Sequence, residues 1–136
     1  MRNFHLTIVS MDGKFYDDEA NQLSLQAIDG EVSIRAGHIN YLNAIGAGEL
    51  RVYVEGEDKP RRAACIGGFL SASKEEVLVA ATTFEWAQDI DLERAKEAKK
   101  KAESIIESKE SSDNDKELAK KKLMRANVRI KVATKN

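Results

Sequence analysis

The run Asp89-Ile90-Asp91-Leu92-Glu93-Arg94-Ala95 places an acidic acceptor, a cation and a small residue within one short stretch. Asp91 stands where a helical pattern begins, so these groups are fixed on one rigid turn. Such a set could hold a nucleotide. Phosphates need several cations, because each pair alone is screened in water. Arginine suits them through its forked donors. Lys101 lies seven residues beyond Arg94, on nearly the same face two turns away. Arg125 and Arg129 are four apart and share a face. If the helices carrying these residues close together, the cations converge on one groove. Helix N-termini attract phosphate, but Asp91 already places negative charge there. A phosphate chain is therefore expected to point away from Asp91, toward Arg94, Lys101 and the second helix. The same run also has a plainer reading, with Asp91 as a helix cap and Arg94 as a solvated partner of Glu93 or Glu97.

The elements that must position these residues are of two kinds. Phe4, Leu6 and Ile8 alternate with Asn3, His5 and Thr7, the pattern of a half-buried strand. Asp12-Gly13 and Asp29-Gly30 are turn signals, and Leu23, Leu25 and Ala27 alternate between them. Val32 and Ile34, Val52 and Val54, Ala63 to Leu70 and Val77 to Ala81 continue the series. Glu55 to Pro60 is the expected hairpin loop. Many short strands with close turns predict an antiparallel β-sandwich or flattened barrel over residues 1–88. The period then changes. Leu92, Ala95, Ala98, Ala102, Ile105 and Ile106 recur at three- and four-residue steps, one face of a helix that should fray near Ser108. Asn114 and Glu117 have capping-box spacing. Ala119, Leu123, Ala126 and Ile130 then mark a second helix. Residues 89–136 are thus expected to fold as an antiparallel two-helix hairpin, which makes the whole chain α+β. Both stripes are thin and rich in alanine, so the hairpin should close readily and open without great cost.

The chain has 136 residues and a net charge of −1, which does not favour a polyanionic partner. Residues 1–88 carry 8 Lys/Arg against 13 Asp/Glu, whereas residues 89–136 carry 14 against 10, a cationic arm on an acidic body. Cys65 is the single cysteine and sits in an apolar run, so it reads as a core thiol, and no internal disulfide can form. No apolar stretch approaches the roughly 18 residues needed to span a bilayer. The opening residues lack a leader pattern, so any membrane association is expected through a partner. His5 and His38 are too isolated for a metal site. Trp86 reads as an anchor at the helix root rather than a stacking platform. No arrangement of serine, histidine and acid, and no phosphate-loop glycine pattern, marks a catalytic site.

Three stretches together resemble the epsilon subunit of rotary F-type ATP synthases. Gly30-Glu31-Val32-Ser33-Ile34-Arg35-Ala36-Gly37-His38-Ile39-Asn40-Tyr41-Leu42 is similar to the family's glycine- and histidine-containing turn. Gly67-Gly68-Phe69-Leu70 matches its paired glycines before an apolar strand. Ile90-Asp91-Leu92-Glu93-Arg94-Ala95 fits its nucleotide motif of Ile or Leu, Asp, two free positions, Arg and Ala. The family usually has glycine near Ser33 and proline near Ala36 and Asn40, and usually arginine where this chain has Lys101.

The resemblance implies a non-catalytic central-stalk protein at the cytoplasmic face of the cell membrane, peripheral and attached through its complex. The sandwich would bind the gamma subunit and the membrane ring of c subunits, with Glu31 and His38 facing the ring. The hairpin would fold against the sandwich or extend along gamma toward the alpha and beta catalytic subunits, where it blocks ATP hydrolysis. ATP would be a regulatory ligand rather than an obligatory cofactor. Its contacts would come from Glu85, Ile90, Asp91, Arg94, Ala95, Lys101, Arg125 and Arg129, with the base nearer Glu85, Ile90 and Ala95. Lys99-Lys100-Lys101 and Lys120-Lys121-Lys122 read either as solvated helix faces or as attractors for acidic loops of the catalytic subunits. A nucleic-acid-binding or adaptor module using the basic tail is the competing function. Overall acidity and low aromatic content weigh against it. An enzyme would need a base or metal ligands that the chain does not offer.

Overall fold

A computed structural model describes residues 2–37 and 40–135, and the chain divides into two compact units, Met1–Trp86 and Ala87–Asn136. Among the described residues the first unit is built of eight strands: β1 (Phe4–Ser10), β2 (Gly13–Ala20), β3 (Gln22–Ala27), β4 (Gly30–Arg35), β5 (Tyr41–Ala44), β6 (Ala47–Tyr53), β7 (Arg61–Ala72) and β8 (Glu76–Trp86). They pair in the order β2-β1-β8-β7-β6-β3-β4, and β5 pairs with β7 beside this path. Alternation explains the strands. Phe4, Leu6 and Ile8 are buried while the residues between them stay half-exposed, so one face of β1 enters the core. Leu23, Leu25, Leu50, Val52, Leu70 and Val79 complete an aliphatic centre.

Most pairs are antiparallel, as expected, but β1 and β8 run parallel, with His5 opposite Glu76 and Val9 opposite Ala80. These two strands come from opposite ends of the unit. A parallel pair requires a long connection, and here the whole intervening meander supplies it. The wrapping of the sheet turns on Gly67 and Gly68. Residues 61–66 of β7 pair with β6, whereas residues 69–72 pair with β5. Both glycines have positive φ, 74° and 96°. A Cβ on Gly68 would lie 1.9 Å from the Ala80 carbonyl oxygen, so only glycine fits this corner. On β8 the inward positions slip by one between Ala81 and Phe84, opposite the same corner.

Aromatic rings close one part of the core. Phe84 packs 4.9 Å from both Phe15 and Trp86, and Tyr16 meets Trp86 edge-on at 6.5 Å. Trp86 is thus anchored within the sandwich. Cys65 is buried there too, and burial pushes its thiol pKa up to about 12, which keeps it protonated and unreactive. Arg61, the first residue of β7, donates two hydrogen bonds to Glu57 in the loop after β6, at 3.1 and 2.6 Å.

The second unit opens with a 3-10 turn at Ala87–Asp89, followed by α1 (Leu92–Glu107) and α2 (Asp113–Thr134). Asp91 caps α1, its side chain accepting from the Arg94 backbone N–H at 3.1 Å. The cap of α2 is Ser112, which accepts from the Asp115 N–H at 3.1 Å. The Asn114–Glu117 capping box is therefore displaced by an earlier start. The Ser112 hydroxyl takes the cap position, and Asp113 and Asp115 both fall in the first turn, where negative charge is favourable. The helices pack through a seam of small residues: Ala95 and Ala102 on α1, Ala119 and Ala126 on α2, all buried. Each pair is seven residues apart, two turns along its helix, so the seam repeats on one face.

Candidate functional site

The helical unit carries an open groove of about 310 Å³ between α1 and α2. Its floor is apolar: Ala98, Ala102, Ile105 and Ala126. Its rim is cationic: Lys101, Lys122, Arg125 and Arg129. Both helices present the same spacing to it, 98, 101, 102, 105 on one and 122, 125, 126, 129 on the other. That is one helical face in each case. A neighbouring hollow of about 200 Å³ is lined by Ile105, Leu118, Ala119 and Lys122, with Ser111 from the connection and Asp115 from the first turn of α2. Ile105 therefore lies level with the start of α2 and Ala98 level with its later turns, so the helices run antiparallel.

Alanine shapes this groove. A seam of methyl groups lets the two backbones approach closely and leaves the longer cationic side chains to stand along the edges. No carboxylate among the described residues lies at ion-pairing distance from Lys101, Lys122 or Arg125. The charges that do pair on these helices lie elsewhere, Lys96 with Glu93 and Lys120 with Glu117, both exposed. A concave surface with an apolar floor and several converging cations is suited to an amphiphilic anion, one end flat and apolar, the other phosphorylated.

Of the residues expected to form a nucleotide site, Lys101, Arg125 and Arg129 come together on this rim. Arg94 is exposed one turn before Ala98, on the row that leads into the groove, but does not line it. Asp91 is occupied as the α1 cap. Ile90 is half-buried, its N–H bonded to the Ala87 carbonyl at 3.3 Å. Ala95 is fully buried in the seam and lies outside the groove lining. Glu85 belongs to the other unit, on β8 opposite Ala64. Lys122 lines the groove but was not among the expected contacts. The signal lay in its spacing of three from Arg125 and seven from Arg129, hidden because Lys120 and Lys121 precede it.

The other expected site lies on the sandwich. Glu31, on β4, is paired with Arg51 of β6. Arg51 also reaches Glu49 at 3.1 Å and the Tyr53 hydroxyl at 3.3 Å. Burial works against its charge, but bonds to Tyr53, Glu49 and Glu31 outweigh it and raise its pKa. Arg62 holds Glu49 from the other side, at 2.7 Å. Glu31 is thus the exposed end of a charge ladder crossing the sheet. His38 lies outside the described residues. His5 is engaged by Asp17, 2.5 Å away. No helix among the described residues is long and apolar enough to cross a membrane.

Comparison with known proteins accounts for the whole chain. Residues 3–87 match the ATP synthase delta/epsilon chain beta-sandwich domain, and residues 88–134 match the long alpha-helix domain of the same chain. The ATP synthase epsilon chain of Caldicellulosiruptor bescii is 35% identical over 136 residues, covering 100% of this chain and 97% of that one. That of Bacillus velezensis is 36% identical over 133 residues, 98% of each. A similar fold occurs in a cryo-EM structure of Euglena gracilis mitochondrial ATP synthase containing OSCP, F1 and the c-ring. Its TM-score is 0.83 at 19% identity, covering 98% of this chain and 82% of that one. With matching domains over both units and full-length relatives above 30% identity, the chain belongs to the ATP synthase delta/epsilon family, as an epsilon chain.

Proposed function

We propose that the chain is a regulatory subunit in the central stalk of a rotary ATP synthase, with no catalytic site of its own. Its sandwich would bind the gamma subunit and the ring of c subunits. Its helical hairpin would act as a brake on ATP hydrolysis, withheld while ATP occupies the groove. The enzyme would meet the membrane through the assembled complex, on its cytoplasmic face.

The observation that carries this reading is the groove's dependence on closure. Lys101 comes from α1, whereas Lys122, Arg125 and Arg129 come from α2. A phosphorylated ligand finds all four cations only when the helices lie together. Such a ligand stabilises the closed hairpin by mass action, about 2.7 kcal/mol at roughly one hundred times Kd. The seam it reinforces is thin, because an alanine methyl removes far less apolar area from water than a leucine side chain, at about 25 cal/mol per Å². A ligand term of that size can therefore decide between a closed and an opened hairpin. Opened helices would carry Lys99-Lys100 and Lys120-Lys121, already at the surface of the closed hairpin, toward acidic loops of the catalytic subunits.

ATP hydrolysis by the assembled enzyme, with and without residues 89–136, tests the brake. Truncation is expected to raise hydrolysis, most strongly at low ATP. Equal rates at every ATP concentration would reject an inhibitory hairpin.

A further inference from the structure

Among the described residues the path of paired strands leaves two edges, β2 at one end and β4 at the other. The antiparallel pattern fixes which backbone groups of β4 face outward. Ala27 and Gly30 close a two-residue turn, so that pair exchanges its hydrogen bonds, as do Leu25 with Val32 and Leu23 with Ile34. The Gln26 carbonyl agrees with this parity, because it turns the other way and accepts from the Gly46 N–H at 2.9 Å. The N–H and C=O groups of Glu31, Ser33 and Arg35 therefore point away from β3, and no described residue takes them. Edge strands are commonly kept from pairing with copies of themselves by charge. β2 follows that rule, since Asp17, Asp18 and Glu19 stand in succession along it. β4 does not: it carries Glu31 and Arg35, opposite charges placed evenly about Ser33.

We propose that β4 pairs with β4 of a second copy of this chain, antiparallel, about a two-fold axis at Ser33. In that register Glu31 faces Arg35 of the second copy, Ser33 faces Ser33, and the outward backbone groups exchange about six hydrogen bonds. Opposite charges directly across an antiparallel pair are stabilising. Glu31 bonds Arg51 through Oε1 and its side chain is 57% exposed, so its other oxygen is open to a second arginine. Arg35 is exposed and has no ion-pair partner among the described residues. On the opposite face Val32, half-buried at the open edge, meets Ile34 of the second copy, so apolar side chains also cross the seam. An interface of one strand pair is small, which places the dissociation constant at about 0.1–1 mM. The inference concerns the free chain and does not depend on the groove between the helices.

Sedimentation equilibrium of the full chain, from about 0.02 to 1 mM, tests this on wild type, Glu31→Arg, Arg35→Glu and an equal mixture of the two variants. Wild type should associate to a dimer within that range. Each variant alone sets like charges across both symmetric pairs and should weaken association about tenfold. In the mixture every pair regains opposite charges, so association should return. A monomeric wild type, variants that associate as wild type does, or a mixture that stays monomeric would each overturn the pairing. Hydrogen exchange of the wild-type chain reads the same edge without a substitution. The Glu31, Ser33 and Arg35 amides should exchange more slowly at about 1 mM than at about 0.02 mM, and the β2 edge should not change. Exchange at those amides that ignores concentration would overturn the proposal as well.

Discussion

The sandwich buries Phe4, Leu6, Ile8, Leu23, Leu25, Leu50 and Val79 at its centre, whereas the hairpin's buried side chains are Ala95, Ala102, Ala119, Ala126 and Val132. Each large aliphatic chain contributes about 1.5–3 kcal/mol by burial, and a single methyl about 0.8 kcal/mol. The first set specifies one rigid body. The second holds two long helices together with little to spare after ordering entropy. Charge follows the same division: carboxylates and arginines on the sandwich pair with one another, as in Glu31, Arg51, Glu49 and Arg62. Along the groove, Lys101, Lys122 and Arg125 stand without such partners among the described residues. A rigid anchor and a marginal, cation-edged arm can thus occupy one chain without either compromising the other.

The largest expected effect that would sharpen this contrast comes from a pair of backbone substitutions. Gly68→Ala forces a Cβ into the Ala80 carbonyl at a φ of 96°, and should cost the sandwich about 3 kcal/mol or more. Urea unfolding followed by Trp86 fluorescence reads that loss, because the ring packs on Phe84 and Tyr16. Ala126→Gly should cost about 1 kcal/mol, confined to the helices. It should lower the helical circular dichroism signal and leave the Trp86 transition in place. A shift of both transitions by either variant would break the division into two independently stabilised units.

The divided architecture was legible because its two periods are local. Phe4, Leu6 and Ile8 announce a strand by themselves, and Ala95 with Ala102 announces a helix face. What escaped was non-local or interrupted. β2 was missed because Phe15 and Tyr16 are adjacent and three acids follow them, and its register against β1 shifts between Ile8 and Val9. β8 runs on to Trp86 although its alternation slips after Ala81, opposite the Gly67-Gly68 corner. The parallel pairing of β1 with β8 joins residues some 70 positions apart, beyond any window of the sequence. In the groove, Arg125 and Arg129 could be found from their spacing. Lys122 was masked by two identical neighbours, although its spacing from Arg125 and Arg129 puts it on their face. Ala95 matched a nucleotide motif but is spent on the seam.

The smallest expected effect concerns the sandwich surface. Asp17 is held below the ordinary carboxylate value by hydrogen bonds from Lys14 and then His5. Its folded pKa therefore lies below its unfolded one. The stabilisation is present above the unfolded value and fades as pH falls through the folded value. The group is exposed, so global stability should scarcely change with it. An NMR titration should place its midpoint below 3.8, and Lys14→Met should move that midpoint upward. An unmoved midpoint would remove the ion pair from the account.

Hydrogen exchange of the full chain, with and without magnesium-ATP, tests most directly whether a marginal hairpin on a rigid anchor is closed by ligand. The account predicts that amides of α1 and α2 exchange faster than those of β1, β7 and β8 in the free chain. Magnesium-ATP should slow the helical amides and leave the sandwich unchanged. Helices as protected as the sandwich before ligand is added, or helices whose exchange ignores saturating ATP, would contradict it.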